Sequence, residues 1–263
     1  MKKLFALSIL AIAFISSAFA QGNILLNSSS SNSKFICGES QITDYDGNKY
    51  TTVQIGKQCW TKENLRTTHY SDGTPIPLYA DAVIEYPTRY LPNNDEKLVA
   101  TYGYLYNWQA ATNSIHGFSK TSKDTQDLCP TGWHVPSDAE WTQLTDFVSS
   151  QSEYVCGNDN RNLAKALASS NGWQDSPFKC SIGYKSERNN ATGFSALPAG
   201  QFLELNEYDH FREYASFWSS TKQDLGTAYY RCLKVNYEII FGSTSTLPKY
   251  MGCSVRCVQD TKQ

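Results

Sequence analysis

The sequence lacks the features that several large functional classes of protein require. It has 23 lysines and arginines against 25 aspartates and glutamates, a formal net charge of −2, and no basic cluster. Nucleic-acid binding needs a concentrated positive face, so we expect no nucleic-acid partner. No cysteine pair has C-x-x-C spacing, and Cys253 and Cys257 have no matching partner motif elsewhere. The sequence therefore argues against a cysteine-ligated metal site and against a redox pair.

Long apolar runs are also missing, apart from one near the N-terminus. Residues 4–15 are apolar, follow two lysines and precede the small-x-small sequence Ala18-Phe19-Ala20. The run is shorter than the roughly 20 residues that a membrane span needs. We therefore predict a signal peptide at residues 1–20, no transmembrane segment in the mature chain, and a protein that is secreted to the periplasm, the cell surface or the medium.

Cysteine, by contrast, is plentiful. Eight cysteines follow the signal segment, and an even number in an exported domain is typical of a disulfide framework. Eight cysteines allow roughly a hundred different pairings, so the residues alone leave the pairing open. We nominate no catalytic residue, no metal ligand and no cofactor from the sequence.

The most informative stretch is residues 129–144, CPTGWHVPSDAEWTQL. A Pro-Thr-Gly turn leads into a short aromatic strand, and Pro136 ends that strand because it has no N–H to donate. Ser137 and Glu140 form an S-x-x-E capping box, which predicts the start of a helix. Apolar residues then recur at helical spacing, at Trp141, Leu144, Phe147 and Val148,.

His134 lies in this predicted strand and faces opposite to Trp133 and Val135. A catalytic or ligand-binding role is conceivable because Glu140 is nearby in the sequence. The favoured interpretation is a partly buried histidine that is hydrogen-bonded to the backbone. We expect the tryptophans at positions 133, 141 and 218 to fill the core rather than to stack on a sugar.

Other segments indicate short elements of both kinds. Residues 102–113 and 162–168 have helical spacing of apolar residues, and the Asp-Gly pair within residues 44–48 is a hairpin signal. Strand patterns prevail in the last third of the chain, at residues 217–221, 228–235 and 253–258. The sequence therefore predicts an α+β protein.

Six blocks that occur in order along the chain resemble a known family. They are DYDGNKYTTVQIGKQCWTKENL, YGYLYNW, CPTGWHVPSDAEW, GFSALPAG, FWSST and CSVRCVQD. Together they resemble the Fibrobacter succinogenes major paralogous domain, a family of secreted bacterial proteins with no established reaction. The resemblance implies a domain at residues 41–260 after a polar linker at residues 21–40. It also implies a C-type-lectin-like fold, akin to the formylglycine-generating and sulfatase-modifying enzymes, in which two helices pack on small twisted antiparallel sheets with long irregular loops.

The resemblance also bears on the disulfides. It places Cys129 and Cys257 in shared blocks, which pairs them. Cys253 has the same strand parity as Cys257, so Cys232 on the preceding strand is expected to reach Cys253. The remaining cysteines are paired by proximity in the sequence. The expected disulfides are Cys129–Cys257, Cys232–Cys253, Cys37–Cys59 and Cys156–Cys180.

Two late segments are candidates for ligand contact. Residues 204–214 and 236–250 lack core periodicity and are rich in Tyr, Asn, Ser and Phe, a composition typical of binding surfaces. The resemblance places this half of the chain on the loop-bearing side of the fold. The candidate contacts are Tyr208, Phe211, Tyr214, Tyr237, Phe241 and Tyr250.

The function that these observations favour is a non-enzymatic module for ligand binding or adhesion. The EPN, QPD and WND elements of calcium-dependent sugar-binding lectins are absent from the sequence, and no group of residues is nominated as a nucleophile with its base. The expected partner is an unknown protein or carbohydrate. The alternatives are an enzyme related to the sulfatase-modifying group and a structural component of an extracellular assembly.

Overall fold

The structure, a computed structural model, describes residues 34–79, 86–114, 127–204, 207–242 and 244–261. The predicted signal peptide and most of the predicted linker lie outside these residues. The described residues from Phe35 onward form one compact unit. Its first residues contact the rest of the unit, because the Phe35 ring packs edge-on against Trp133 at 5.8 Å and Cys37 is disulfide-bonded to Cys59.

The described residues contain thirteen short strands and four short α-helices. The strands β1 to β13 are, in chain order, Gln41–Thr43, Lys49–Ile55, Gln58–Thr61, Arg89–Tyr90, Leu105–Tyr106, Trp133–His134, Gln201–Phe202, Tyr208–Asp209, Tyr214–Lys222, Thr227–Lys234, Ile240–Phe241, Thr246–Pro248 and Val258–Gln259. The helices α1 to α4 are Val99–Tyr102, Trp108–Thr112, Asp138–Ser149 and Ala164–Leu167. Short 3₁₀ segments lie at Pro92–Asn94, Glu96–Leu98, Ser152–Tyr154 and Ser186–Arg188.

The central stretch folds as its sequence predicts. The hydroxyl of Ser137 accepts a hydrogen bond from the N–H of Glu140 at 3.3 Å, and the Glu140 carboxylate accepts one from the N–H of Ser137 at 2.8 Å. This reciprocal capping box starts α3 directly after β6 and Pro136,. The face of α3 that points into the core carries Trp141, Leu144 and Val148.

The first sheet is antiparallel and has the order β1-β2-β3-β13-β6. Its two hairpins turn at the predicted residues 44–48 and at Gly56-Lys57. Val258 in β13 pairs with Trp60 in β3 on one side and with His134 in β6 on the other. The last strand of the chain is therefore an interior strand of this sheet.

The second sheet is built on β10. This strand pairs antiparallel with β9 on one side and with β11 and β12 on the other. The free side of β9 is covered in turn by residues near Ser254, because the Trp218 N–H donates to the Ser254 carbonyl and the Ser254 N–H donates to the Ser216 carbonyl. Consequently β9 lies between β10 and the segment that contains Ser254.

Two large apolar clusters fill the interior. One contains Trp60 and Trp141, whose ring centroids are 4.8 Å apart, together with residues from α3, α4 and β9. The other contains Trp133 and Trp218 and extends to the first hairpin. The predicted core positions of the three tryptophans are confirmed, because Trp133, Trp141 and Trp218 are all buried.

A fully buried arginine joins several segments at the centre of the molecule. Arg256 has no exposed surface, and its guanidinium carbon lies 4.8 Å from the Phe194 ring centroid and 5.5 Å from that of Phe217. Its acceptors are Asn64 Oδ1 and the carbonyl oxygens of Thr61, Phe194 and Ser195, at 2.7 to 2.9 Å. The charge is thus enclosed by two rings and by oxygen atoms from two separate segments.

The structure forms three disulfides, Cys37–Cys59, Cys129–Cys257 and Cys156–Cys180. The fourth expected pair is not formed, because Cys232 and Cys253 are both free and buried. Strand β9 separates β10, which carries Cys232, from the segment that carries Cys253. Two strand spacings amount to roughly 9–10 Å, which exceeds the Cα separation of about 7 Å that a disulfide tolerates.

Two secondary-structure predictions need correction. The helix predicted at residues 102–113 is interrupted, because Gly103 has a non-helical backbone (φ +73°) that ends α1, and β5 intervenes before α2. The strand predicted at residues 253–258 is regular only from Val258 onward. The architecture is α+β, with few short helices on curled antiparallel sheets. Among the described helices, none is long and apolar enough to cross a membrane.

Candidate functional site

The second sheet carries a lysine between two aromatic rings at its surface. Lys234 ends β10 opposite Tyr214, and Phe241 lies opposite Cys232, two residues before Lys234. Side chains two residues apart in a strand face the same side of the sheet, so all of these share one face. The Lys234 ammonium lies 4.8 Å from the ring centroid of Tyr214 and 4.6 Å from that of Phe241.

One further ring extends this cluster at each end. His210 stacks on Tyr214 with ring centroids 3.8 Å apart and an interplanar angle of 18°. Tyr237 meets Phe241 edge to face at 4.9 Å and 88°. We refer to His210, Tyr214, Lys234, Phe241 and Tyr237 together as the cation–aromatic row.

Backbone turns hold both ends of the cation–aromatic row. His210 has a left-handed conformation (φ 57°), and its carbonyl accepts hydrogen bonds from the N–H groups of Glu213 and Tyr214, both at 2.9 Å. At the other end, the Tyr237 N–H donates to the Lys234 carbonyl at 3.0 Å, and the Tyr237 carbonyl accepts from the N–H of Ile182 at 3.2 Å. The rings therefore stand on a fixed backbone rather than on free loop tips.

The row combines the flat apolar surface of its rings with the Lys234 ammonium, whose hydrogen-bond donors are available to a ligand. Tyr237 is 48% exposed, and the other members are half-buried. Within the described part of the chain, no residue accepts a hydrogen bond from the Lys234 ammonium. His210 is held instead by carboxylates, at 3.0 Å from Asp209 and 3.5 Å from Glu213. Such a surface can stack on the apolar face of a ligand while the lysine donates to an oxygen on that ligand.

The other three predicted ligand contacts lie apart from the row. The Tyr208 ring packs edge-on against Phe202 at 5.2 Å, and the Phe211 ring against Tyr102 at 5.0 Å, in a small third cluster. Tyr250 is half-buried against the core and belongs to neither group. Of the six residues predicted as loop contacts, the structure brings Tyr214, Tyr237 and Phe241 together, and only Tyr237 is exposed.

His134 has two carboxylate partners rather than the backbone partner that we expected. Its Nε2 lies 2.8 Å from Glu140 Oε1, and its Nδ1 lies 2.6 Å from Asp260 Oδ1. Burial opposes the charged imidazolium, but the hydrogen bonds to the two carboxylates outweigh it and raise the pKa of His134 to about 9. Both ring nitrogens are therefore occupied at neutral pH, and a general base needs a free lone pair. His134 connects β6, the start of α3 and the residue that follows β13.

The two free thiols are poor candidates for catalysis. Burial raises the pKa of Cys232 to about 11, and it raises the pKa of Cys253 well above the ordinary value. Both thiols therefore remain protonated at neutral pH, whereas a nucleophilic cysteine needs a lowered pKa. Among the residues that the structure describes, no group of three or more His, Cys, Asp or Glu side chains is placed to hold a metal ion.

Sequence reasoning missed Lys234 and His210. The alternation in residues 228–235 does place Lys234 on the same face as Cys232, but its contact with Tyr214 depends on the register between β9 and β10. His210 joins the row only through the left-handed turn at its own position. Neither the register nor the turn is visible from spacing alone.

A comparison with known protein families assigns the chain to one of them. The model of the Fibrobacter succinogenes major domain matches residues 53–259, well over half of the 263 residues, and this range contains the central stretch and the cation–aromatic row. No curated protein and no solved structure matches the chain significantly. The chain belongs to the Fibrobacter succinogenes major domain family.

Proposed function

We propose that this chain is a secreted or surface-displayed, non-enzymatic binding module, and that the cation–aromatic row contacts its protein or carbohydrate ligand. The observation that carries the proposal is Lys234. Its ammonium lies within 5 Å of two ring centroids and makes no hydrogen bond to the described residues. Partly exposed rings on a fixed backbone provide contact area at a low cost in conformational entropy.

The scaffold that we propose is C-type-lectin-like. In support, α3 packs on a small antiparallel sheet, a second small sheet follows it in the sequence, and long connections without regular structure join the elements. Three disulfides fit folding in an oxidising compartment, in agreement with the predicted signal peptide,. An enzyme of the sulfatase-modifying type has less support, because its relatives act through reactive cysteines and both free thiols here are buried.

The test begins with a ligand search. The mature chain is applied to glycan and protein arrays, and the affinity of each captured ligand is then measured. We expect Tyr237→Ala and Lys234→Met each to weaken binding about fivefold or more, which corresponds to about 1 kcal/mol. Stability should change little, because exposed positions carry few core contacts.

Tyr45→Ala is the matched control, because Tyr45 is 59% exposed but lies on the first hairpin, in the other sheet. This control should bind as the wild type does. The proposal fails if both row variants bind normally. It also fails if the purified chain shows a turnover that His134→Gln or Cys232→Ser abolishes.

A further inference from the structure

A cleft beside the first sheet is lined by glutamine side chains. It lies between the β2–β3 turn, α3 and β13, has a volume of about 400 Å³, and its walls include Gln54, Gln58, Gln143 and Gln259. A neighbouring cavity of about 510 Å³ shares Gln58 and Gln143 and adds Phe147. Volumes in this range are typical of small-molecule sites.

Helix α3 uses one face for the core and another for this cleft. Glu140, Gln143 and Phe147 follow one another at helical spacing, so they form a stripe beside the core-facing residues,. The Phe147 ring lies directly against the β2–β3 turn. It is so close to Gly56 that a Cβ atom at that position would come within 2.9 Å of the ring. The half-buried ring therefore supplies an apolar wall next to the amides.

Gln58 is a buried polar residue with spare hydrogen-bonding capacity. It is 8% exposed, and its Nε2 donates to the Glu140 carbonyl at 3.0 Å. Its Oε1 is buried, and no donor among the described residues reaches it. An unsatisfied buried acceptor is unfavourable, so such groups call for an explanation. Because Gln58 lines the cleft, this unsatisfied acceptor belongs to a residue of the cleft wall.

The charges around the cleft are largely neutralised within the protein. Glu140 and Asp260 both line it, but both are hydrogen-bonded to His134. Lys57 is the one cationic side chain among the lining residues. A cationic ligand would find its carboxylate partners already engaged, and an anionic ligand would find a single exposed lysine. An apolar ligand would leave the amides unpaired, which is unfavourable.

The backbone around the cleft is also fully engaged. In the order β1-β2-β3-β13-β6, the strands that border the cleft, β2, β3 and β13, are each paired on both sides. An extended peptide therefore has no free strand edge to join, which is the usual route for peptide recognition by a sheet. Recognition at this cleft must come from side-chain amides and the Phe147 ring.

We propose that this glutamine-lined cleft binds a neutral saccharide. Each sugar hydroxyl is both a donor and an acceptor, which matches an amide side chain, and the C–H face of a sugar ring suits Phe147. This site is separate from the cation–aromatic row and would operate without calcium, because both carboxylates in its lining are hydrogen-bonded to His134.

The experiment uses the mature chain with its disulfides intact. Saturation-transfer NMR and calorimetry measure binding of neutral gluco-, manno-, galacto-, xylo- and N-acetylglucosamine oligosaccharides, and of a glutamine-rich peptide as a second probe. The main variant is the double substitution Gln54→Ala with Gln143→Ala, because both side chains are exposed and the fold should tolerate their loss. Gln58→Met is the second variant, and Gln223→Ala, an exposed glutamine outside the cleft, is the control.

We expect at least one oligosaccharide to bind, the double variant and Gln58→Met each to lose at least tenfold in affinity, and both Gln223→Ala and Tyr237→Ala to bind it as the wild type does. The inference is overturned if none of the oligosaccharides binds, or if the double variant retains full affinity. Loss of saccharide binding in Tyr237→Ala alone would assign the sugar to the cation–aromatic row, which supports the proposed function and refutes the cleft. If only the glutamine-rich peptide binds, the proposal that the cleft binds a saccharide is wrong.

Discussion

The molecule places a cation between two aromatic rings in two regions, and the surroundings differ completely. Arg256 lies between Phe194 and Phe217, has no exposed surface, and donates to four oxygen acceptors. Lys234 lies between Tyr214 and Phe241 at similar distances but at the surface, and it donates to no described residue. The ring contacts are alike, whereas the Arg256 guanidinium makes four hydrogen bonds to the protein and the Lys234 ammonium makes none to the described residues.

This difference in hydrogen bonding suggests different roles for the two cations. A guanidinium presents five N–H donors in a fixed fork, which suits it to join several carbonyl groups in the interior. An ammonium on a flexible stem has three donors that can rotate towards a ligand, and those of Lys234 are not used by the described residues. We therefore expect Arg256 to contribute to stability and Lys234 to contribute to binding.

The largest effect should follow from Arg256→Met. The change leaves four buried acceptors without a donor, and each unsatisfied group costs about 1–3 kcal/mol. We expect the free energy of unfolding to fall by about 4 kcal/mol or more in urea titrations with the disulfides intact. Arg256→Lys, which keeps the charge but not the fork, should be intermediate. A loss below about 1 kcal/mol for the methionine variant would contradict the structural role of Arg256.

A smaller, pH-dependent effect should follow from His134→Gln. The folded-state pKa of His134 is raised to about 9 from the ordinary 6.5, so its stabilisation is complete below pH 6.5 and is lost as the pH rises towards 9,. Burial opposes ionisation of Glu140, but hydrogen bonds to His134 and Ser137 outweigh it and lower the pKa from 4.5, so stabilisation is also lost in acid,. We expect the melting temperature of wild type to exceed that of the variant by about 3 °C between pH 5 and 6.5, and the two to converge near pH 9.

His210→Gln is the control for this pH profile, because the carboxylate partners of His210 belong to its own turn rather than to distant segments. Its melting temperature should stay closer to that of wild type across the range. A constant difference between wild type and His134→Gln from pH 5 to pH 9 would contradict the ion-pair explanation.

The smallest effect on stability should follow from Lys234→Met. Each exposed cation–π contact contributes about 0.5–1 kcal/mol, and the methionine side chain keeps part of the packing. We expect the free energy of unfolding to change by less than about 1 kcal/mol in the urea titrations used for Arg256→Met. A double-mutant cycle with Phe241→Leu would give the direct coupling, and a coupling above 2 kcal/mol would show that this cation also serves the fold.

The sequence was most informative where structure is determined locally. The capping box of Ser137 and Glu140 depends on four consecutive residues, and the Asp-Gly hairpin depends on two, so both were predictable. The position of Cys232 relative to Cys253 depends on β9 lying between them, which no local pattern encodes. The cation–aromatic row is a mixed case. The aromatic composition indicates Tyr214, Tyr237 and Phe241, but their contact with Lys234 arises from strand register.

The same reasoning applies to Tyr208 and Phe211, which the sequence indicates as candidate loop contacts. Aromatic residues among polar neighbours resemble loop contacts in a sequence. Here the Tyr208 ring packs on Phe202, its partner across β7 and β8, and the Phe211 ring packs on Tyr102, which lies far earlier in the chain. Burial of this kind is set by tertiary contacts, and it overrides the local polar composition.

The interior position of β13 has a consequence for biosynthesis. The first sheet cannot close until synthesis has passed Gln259, because β3 and β6 pair with β13 rather than with each other. Until then both strands have open edges, which are prone to pair with other chains. The Cys129 thiol also stays without its disulfide partner until Cys257 has been synthesised. Until Gln259 has been synthesised, the first sheet therefore stays incomplete, and the open strands must remain unfolded or be bound by a chaperone to avoid pairing with other chains.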